Sequence, residues 1–162
     1  MNYAADLADI TPWSLGRINY SLRGTWLIEQ KQFNNISNPN DFTELSSSLY
    51  YPRVRMTSSL SYSPNDKFTA TWIVDWQTAQ DIVQRRDAIN NPDSRPAEYF
   101  DTGNFARHDL QFRYAMREDL DLRFGVTNVT NAEQAPWLGT TLYSNFDPYG
   151  RRFNIGFNYR PW

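Results

Sequence analysis

The amino-acid sequence predicts an all-β fold, an antiparallel meander of about six long strands. Two observations favour this fold. Apolar and polar residues alternate with period two in about six segments, and tight turns join two pairs of neighbouring segments. Successive side chains of a strand point to opposite faces, whereas a helical period would scatter these apolar residues around the axis.

Within each segment the apolar residues share one parity, and we expect them to form one continuous face of the sheet. An additional N-terminal strand is predicted from Tyr3 to Asp9. The apolar sets are Ile18, Tyr20, Leu22, Trp26 and Ile28; Val54, Met56, Leu60 and Tyr62; Phe68, Ala70, Trp72, Val74 and Trp76; Leu110, Phe112, Tyr114 and Met116; Leu120, Leu122, Phe124 and Val126; and Phe153, Ile155, Phe157 and Tyr159.

The connections between segments are of two kinds. Ser63–Asp66 and Arg117–Asp119 are short, whereas residues 31–52, 84–104 and 130–150 are long, rich in Asn, Asp, Ser and Pro, and without strand periodicity. In a meander, all the long connections fall on one edge and the C-terminus falls on the other. This asymmetry is typical of outer-membrane β-barrels, which have short periplasmic turns and long extracellular loops.

Composition agrees with a sheet that has one apolar and one wet face. Aromatic residues make up 16% of the chain, although the mean hydropathy is −0.69. Rings among polar neighbours suit a membrane boundary. The sequence therefore predicts a curved, open portion of a transmembrane β-barrel. The 16 basic and 18 acidic residues argue against nucleic-acid binding, and the absence of cysteine excludes disulfides and thiolate metal sites.

Three stretches carry a family resemblance: residues 122–131 (LRFGVTNVTN), 147–153 (DPYGRRF) and 153–160 (FNIGFNYR). Their order and spacing resemble the C-terminus of TonB-dependent outer-membrane receptors. The family ends in an aromatic residue two positions after its last Tyr, whereas here Pro161 intervenes and Trp162 lies three positions after Tyr159. The register of the C-terminal assembly signal is therefore shifted relative to the family pattern.

The resemblance implies that residues 1–162 are the C-terminal part of a receptor barrel in the outer membrane of a Gram-negative bacterium. Members have 22-stranded barrels around a plug, and the plug, the earlier strands and the TonB box are expected to lie outside this chain. The implied function is energy-coupled uptake of an iron–siderophore, vitamin or oligosaccharide. Implied partners are outer-membrane lipid, the barrel assembly machinery, the rest of the barrel and plug and, through the N-terminal part, an inner-membrane energy-coupling protein. The implied assembly signal is Phe153, Ile155, Phe157, Tyr159 and Trp162.

No residue pattern predicts catalysis, a cofactor or a metal, so we expect no enzymatic activity. His108 and Asp109 are adjacent in a strand and should point to opposite faces. Glu118 and Asp119 are better explained by a solvated turn than by a catalytic pair. Oxygen ligands of the kind that calcium prefers occur in the second long connection, at no recognised spacing: Asp87, Asp93, Glu98 and Asp101.

Arginines on the polar parity are the most function-like set, and they have two interpretations. They either guide an anionic substrate or contact a plug, or they form a hydrated barrel wall paired with Asp75, Asp109 and Asp121 on neighbouring strands. The second interpretation is favoured, and the two are compatible. The set is Arg17, Arg23, Arg53, Arg55, Arg107, Arg113, Arg123 and Arg152.

Two alternative classes of protein stay open at this point. A small self-contained, lipocalin-like barrel would show the same alternation with inside and outside exchanged. A secreted β-rich enzyme is a third class, for which the sequence offers no convincing catalytic set. Loop asymmetry favours the membrane interpretation over both.

Overall fold

A computed structural model of the chain describes residues 1–7, 16–82, 90, 99–135 and 146–161. Nine strands are found in this part of the chain: β1 (Asn2–Asp6), β2 (Arg17–Trp26), β3 (Lys31–Phe33), β4 (Phe42–Glu44), β5 (Val54–Asn65), β6 (Phe68–Gln77), β7 (Phe105–Arg117), β8 (Leu120–Thr127) and β9 (Arg152–Tyr159).

The main sheet has seven strands in the order β1-β2-β5-β6-β7-β8-β9, and every neighbouring pair is antiparallel. The predicted all-β meander is therefore confirmed. The sheet is open, with β1 and β9 at its edges; within the described residues neither strand pairs on its outer side. The predicted N-terminal strand exists, but it runs from Asn2 to Asp6 instead of from Tyr3 to Asp9.

The strand registers place the apolar residues on one side of the sheet. One row of directly opposed residues runs Tyr3, Tyr20, Leu60, Trp72, Leu110, Val126 and Phe153. The next row runs Ile18, Tyr62, Ala70, Phe112, Phe124 and Ile155. Directly opposed side chains share a face, so the predicted continuous apolar face is confirmed. We call this side the apolar face and the opposite side the polar face.

The polar face is built from the alternate residues. Its rows include Asn19, Ser61, Thr71, Gln111, Gly125 and Asn154, and Arg23, Thr57, Asp75 and Arg107. Serine and threonine hydroxyls join β5 to β6 across this face: Ser61 to Thr71 and Ser63 to Thr69, each at 2.9 Å. The hydroxyls, amides and charges give this side of the sheet a continuous hydrogen-bonding surface.

Short turns close β5–β6 and β7–β8 on one edge, as predicted. Asn65 belongs to β5, so only Asp66 and Lys67 separate the first pair of strands, and Asn65 Oδ1 accepts hydrogen bonds from the backbone N–H groups of Lys67 and Phe68 at 3.0 Å each. The register shifts within both hairpins, between Tyr62 and Asn65 and between Ala115 and Arg117. Such irregularities increase the local twist of a sheet.

The first long connection contains a structure that its sequence pattern did not predict. Strands β3 and β4 form a separate two-stranded hairpin, in which the rings of Phe33 and Phe42 lie 6.0 Å apart. The Lys31 ammonium lies 4.6 Å from the centre of the Phe42 ring. The absence of strand periodicity in residues 31–52 therefore gave no indication of these two strands. Strands of three residues are too short to show a period of two.

In the part of the chain that the structure describes, no helix has the length and apolar character needed to cross a membrane.

Candidate functional site

The buried side chains of the main sheet lie on its polar face, whereas large side chains of the apolar face are exposed. Ile155 and Phe157 are 86% and 76% exposed, whereas the polar-face residues Gln77 and Asp121 are 3% and 4% exposed. Among the described residues Phe146 is the one buried hydrophobic side chain. It packs edge-on against Phe105, with ring centroids 5.2 Å apart. The usual arrangement of a globular protein, with apolar residues inside, is therefore reversed here.

The C-terminal strand β9 presents this apolar character at the edge of the sheet. The predicted assembly residues Phe153, Ile155, Phe157 and Tyr159 all lie in β9, at positions of one parity and all exposed. Trp162, the last member of that set, lies outside the described residues. The edge therefore combines free backbone groups with a row of exposed apolar side chains, as a strand that pairs with a further strand requires.

Aspartates and arginines pair across the polar face. Arg107 Nη2 lies 2.8 Å from Asp75 and 3.3 Å from Asp109. Arg113 and Arg160 hold the two oxygens of Asp121, at 2.8 and 3.3 Å. The predicted pairing with arginines of neighbouring strands is therefore confirmed for Asp75 and Asp121, whereas Asp109 pairs with Arg107 of its own strand, β7. Because the carboxylates of Asp75 and Asp121 are largely buried and receive charged donors, these cross-strand pairs fix neighbouring strands to each other.

Of the six other predicted arginines, three have a side-chain partner in the structure and three have no ion pair within the described residues. Arg17 pairs with Asp66 at the exposed short-turn edge, at 3.1 Å, and Arg152 makes two hydrogen bonds to Asp147, at 2.8 and 3.2 Å. Arg53 Nε donates to Ser47 Oγ at 3.2 Å. No ion pair is found within the described residues for Arg23, Arg55 or Arg123.

Buried polar residues hold the long connections where they leave the sheet. Gln80 is fully buried; its side-chain oxygen accepts from the backbone N–H of Tyr50 at 2.9 Å, and its own backbone N–H donates to Thr102 Oγ1 at 3.0 Å. The first and second long connections are thus fastened to each other. Sequence reasoning missed this role, because a glutamine in a polar segment has no period or motif that marks it as buried.

Asn128 holds the start of the third long connection by buried hydrogen bonds, as Gln80 holds the first two connections. It is fully buried, with a left-handed backbone (φ 55°). Its side-chain amide exchanges two hydrogen bonds of 2.8 Å with the backbone of Ala132. Its backbone N–H donates to Asp109 at 2.8 Å. The exit of this loop from β8 is therefore set by one asparagine.

We expect Asn128→Ala to lower the free energy of unfolding by about 2–3 kcal/mol, since it removes both amide hydrogen bonds and leaves buried backbone groups without partners. The measurement is urea denaturation of the full chain in detergent micelles. Asn158→Ala is the matched control, because Asn158 is exposed on β9. Equal destabilisation by the two variants would contradict the role assigned to Asn128.

The remaining candidate residues that the structure describes make contacts that hold strands and turns in place. The His108 ring stacks on Trp72 (centroids 5.7 Å apart) and its Nδ1 accepts from the Trp72 indole N–H at 3.3 Å, while Asp109 faces Arg107. The two neighbours thus point to opposite faces, as predicted. Asp119 pairs with Arg117 at 3.2 Å in the β7–β8 turn. Asp101 accepts the backbone N–H of Gly103 at 2.8 Å; Asp87, Asp93 and Glu98 lie outside the described residues.

Charged groups close the β3–β4 hairpin. The Glu44 carboxylate accepts from the backbone N–H of Ser46 at 3.1 Å. Hydrogen bonding from the Ser46 side chain first, then from backbone N–H groups, lowers the pKa of Glu44. A hydrogen bond to Glu29 raises the pKa of Lys31. The hairpin is therefore fastened by a carboxylate that favours its ionised form.

The lowered pKa of Glu44 predicts that the stability of the β3–β4 hairpin depends on pH. Because the folded-state pKa of Glu44 is below its unfolded value, its contribution is fully present above the ordinary pKa of about 4.3 and is lost as pH falls through the lowered value. Hydrogen exchange at residues 30–46, corrected for intrinsic rates, should therefore show weaker protection at pH 3 than at pH 6. In Glu44→Gln that difference should shrink; an unchanged difference would contradict the assignment.

The polar face also carries an open cavity of about 550 Å³ over β6, β7, β8 and β9. Polar side chains at its border come from Thr69, Thr71, Gln111, Arg113, Arg123 and Asn154. In the part of the chain that is described, no group of three or more His, Cys, Asp or Glu residues is arranged to hold a metal ion. The cavity thus offers hydrogen-bond donors and positive charge.

The fold and its faces define an open antiparallel sheet with an exposed apolar side and a charged, hydrogen-bonded side. Comparison of the chain with protein-family models, with curated proteins and with solved structures finds no match.

Proposed function

We propose that this chain is part of an outer-membrane, energy-coupled nutrient-uptake receptor of the TonB-dependent kind. It supplies barrel wall, extracellular loops and the C-terminal strand read by the assembly machinery. The transported nutrient is of the iron–siderophore, vitamin or oligosaccharide class that the sequence resemblance implies. The observation that carries the proposal is the reversed burial of the sheet.

An apolar face that spans the main sheet must be shielded from water. Soluble monomers rarely expose apolar patches above a few hundred Å². Side chains such as Trp72 (45% exposed) and Phe153 (68% exposed) extend from the middle of the sheet to its edge. Lipid covers the outward side of a membrane barrel, and a polar inward side is typical of barrels that enclose water or a plug.

The open edges support membership of a larger barrel. In lipid each unpaired backbone group costs several kcal/mol, so membrane barrels are closed. Strands β1 and β9 would therefore pair with the remaining strands of the receptor, and the arginine-bearing polar face would line the lumen beside the plug. The inner-membrane energy-coupling protein would act through the N-terminal part of the receptor. This chain itself would perform no catalysis.

The lipocalin-like alternative receives less support. Such a barrel has an apolar interior that holds its ligand. Here the cavity lies over the polar face, and the buried side chains of the sheet include Gln77, Asp109 and Asp121. The apolar side, which faces inward in a lipocalin, carries exposed side chains such as Ile155 and Phe157 in this sheet.

The proposal is tested on the native protein. An antibody against a peptide of residues 31–53 would follow it through separated membranes of the Gram-negative cells that encode it. We expect an outer-membrane band with heat-modifiable mobility and a mass well above the 19.0 kDa of this chain. Recovery in the soluble fraction would contradict the membrane assignment, and an outer-membrane band at 19.0 kDa would favour the small-barrel alternative.

A further inference from the structure

The cavity over β6–β9 has the dimensions of a ligand site. We call it the Arg123 cleft and define its polar border as Thr69, Thr71, Gln111, Arg113, Arg123 and Asn154. Its volume of about 550 Å³ lies within the 300–1,000 Å³ of small-molecule pockets. It lies over the middle of the strands, since Arg123 is the fourth of the eight residues of β8.

One glycine, Gly156, leaves the space open. Gly156 lies directly opposite Arg123 in the β8–β9 register, and a Cβ added there would meet no heavy atom within 4 Å. Gly125 lies opposite Asn154, and a Cβ added there would come within 2.1 Å of the Asn154 side-chain oxygen. The Asn154 side chain therefore occupies the place that a side chain at Gly125 would take, and the space beside Gly156 stays open next to Arg123.

The charges in the cleft are unbalanced. Arg113 and Arg123 are directly opposed in the β7–β8 register, and like charges in such a pair destabilise a sheet. Arg113 is compensated by Asp121 at 2.8 Å. The side chains of Arg123, Gln111 and Asn154 have no hydrogen-bond partner in the described part of the chain.

We propose that the Arg123 cleft binds a small organic molecule through a carboxylate group. A planar carboxylate matches the guanidinium fork of Arg123 with two parallel hydrogen bonds. The amide N–H groups of Gln111 and Asn154 are the further donors at the border of the cleft, and an anion there offsets the repulsion between Arg113 and Arg123. The site is a property of the polar face, so it does not depend on the membrane location or on transport.

The test uses the full chain folded in detergent micelles, with its β-structure followed by circular dichroism and binding followed by calorimetry. The probes are glutarate and inorganic phosphate at matched ionic strength. We expect glutarate to bind and Arg123→Gln to weaken its binding about tenfold or more, the loss expected for a charge-assisted hydrogen bond. Arg23→Gln is the matched control, an exposed polar-face arginine in β2, and should change the affinity less than twofold.

A second variant separates shape from charge. Gly156→Leu fills the open space beside Arg123 without altering the charge, and it should abolish glutarate binding while the circular dichroism spectrum is preserved. Equal losses in Arg123→Gln and Arg23→Gln would show attraction by bulk charge and overturn the site. Tighter binding of phosphate than of glutarate would overturn the carboxylate assignment.

The proposal also has a folding readout. If relief of the Arg113–Arg123 repulsion is needed for the sheet to form, glutarate should raise the folded fraction of the wild-type chain more than chloride of equal ionic strength. Arg123→Gln should be insensitive to glutarate in the same assay. A wild-type chain that neither binds glutarate nor gains structure with it would overturn the proposal.

Discussion

Replacing Phe112 by arginine is expected to prevent membrane assembly of the proposed receptor. Phe112 lies in the middle of the apolar face, with its ring centroid 6.2 Å from those of both Phe68 and Phe124. An arginine at mid-bilayer on the lipid side of a barrel costs about 2–4 kcal/mol, and loss of the two ring contacts adds to this. The measurement is the yield of heat-modifiable, folded receptor in purified outer membranes.

Thr71→Arg is the matched control for Phe112→Arg. Thr71 lies on the neighbouring strand β6, opposite Gln111 and therefore on the polar face. It should retain most of the assembly yield, because a new arginine there meets water and polar side chains. Trp72→Arg, on the apolar face, should behave like Phe112→Arg. Equal tolerance of the three substitutions would contradict the assignment of the apolar face to lipid.

The second large effect concerns the chain on its own. We expect the isolated chain to aggregate in liposomes and not to insert as a stable monomer. Seven strands are fewer than the eight of the smallest well-known barrels, whose interiors side chains already fill. Closure would crowd arginines of the polar face into a lumen with little room for water, at a large desolvation cost. The open sheet would leave β1 and β9 unpaired in lipid.

Protease protection and heat-modifiable gel mobility after reconstitution measure this outcome. The same chain in detergent micelles is the control, because a micelle covers the apolar face without requiring barrel closure. Aggregated or protease-sensitive chain in liposomes is the expected result. A protected monomer that conducts or imports solute would contradict the receptor-fragment proposal and favour the small-barrel alternative.

The alternation of apolar and polar residues predicted the long strands closely, because each strand contributes to both the apolar face and the polar face. The apolar set from Phe68 to Trp76 corresponds to β6, Phe68–Gln77. The same pattern opposes a register slip of one residue, since such a slip would turn apolar side chains to the polar face. The β3–β4 hairpin was missed because three-residue strands are held by local contacts such as that between Phe33 and Phe42.

The chemistry of the polar face was predictable in kind and not in detail. Opposite charges on neighbouring strands indicated the pairs of Asp75 and Asp121, whereas Asp109 pairs with Arg107 of its own strand. The pair of Asp147 with Arg152 depends on how the third long connection returns to β9, which residue spacing does not encode. The open space of the Arg123 cleft depends on Gly156 lying directly opposite Arg123 on the adjacent strand, and this is known only once the register is known.

The shared carboxylate of Asp121 has a consequence for fidelity of strand docking. A one-residue slip of β9 against β8 is opposed by alternation, but a two-residue slip keeps every side chain on its own face. Such a slip would move Arg160 by roughly 7 Å along the strand, away from the Asp121 oxygen that it contacts at 3.3 Å. The other oxygen is already held by Arg113. Asp121 therefore distinguishes registers that hydrophobicity leaves equivalent, and it does so at the strand where the chain's last residues join the sheet.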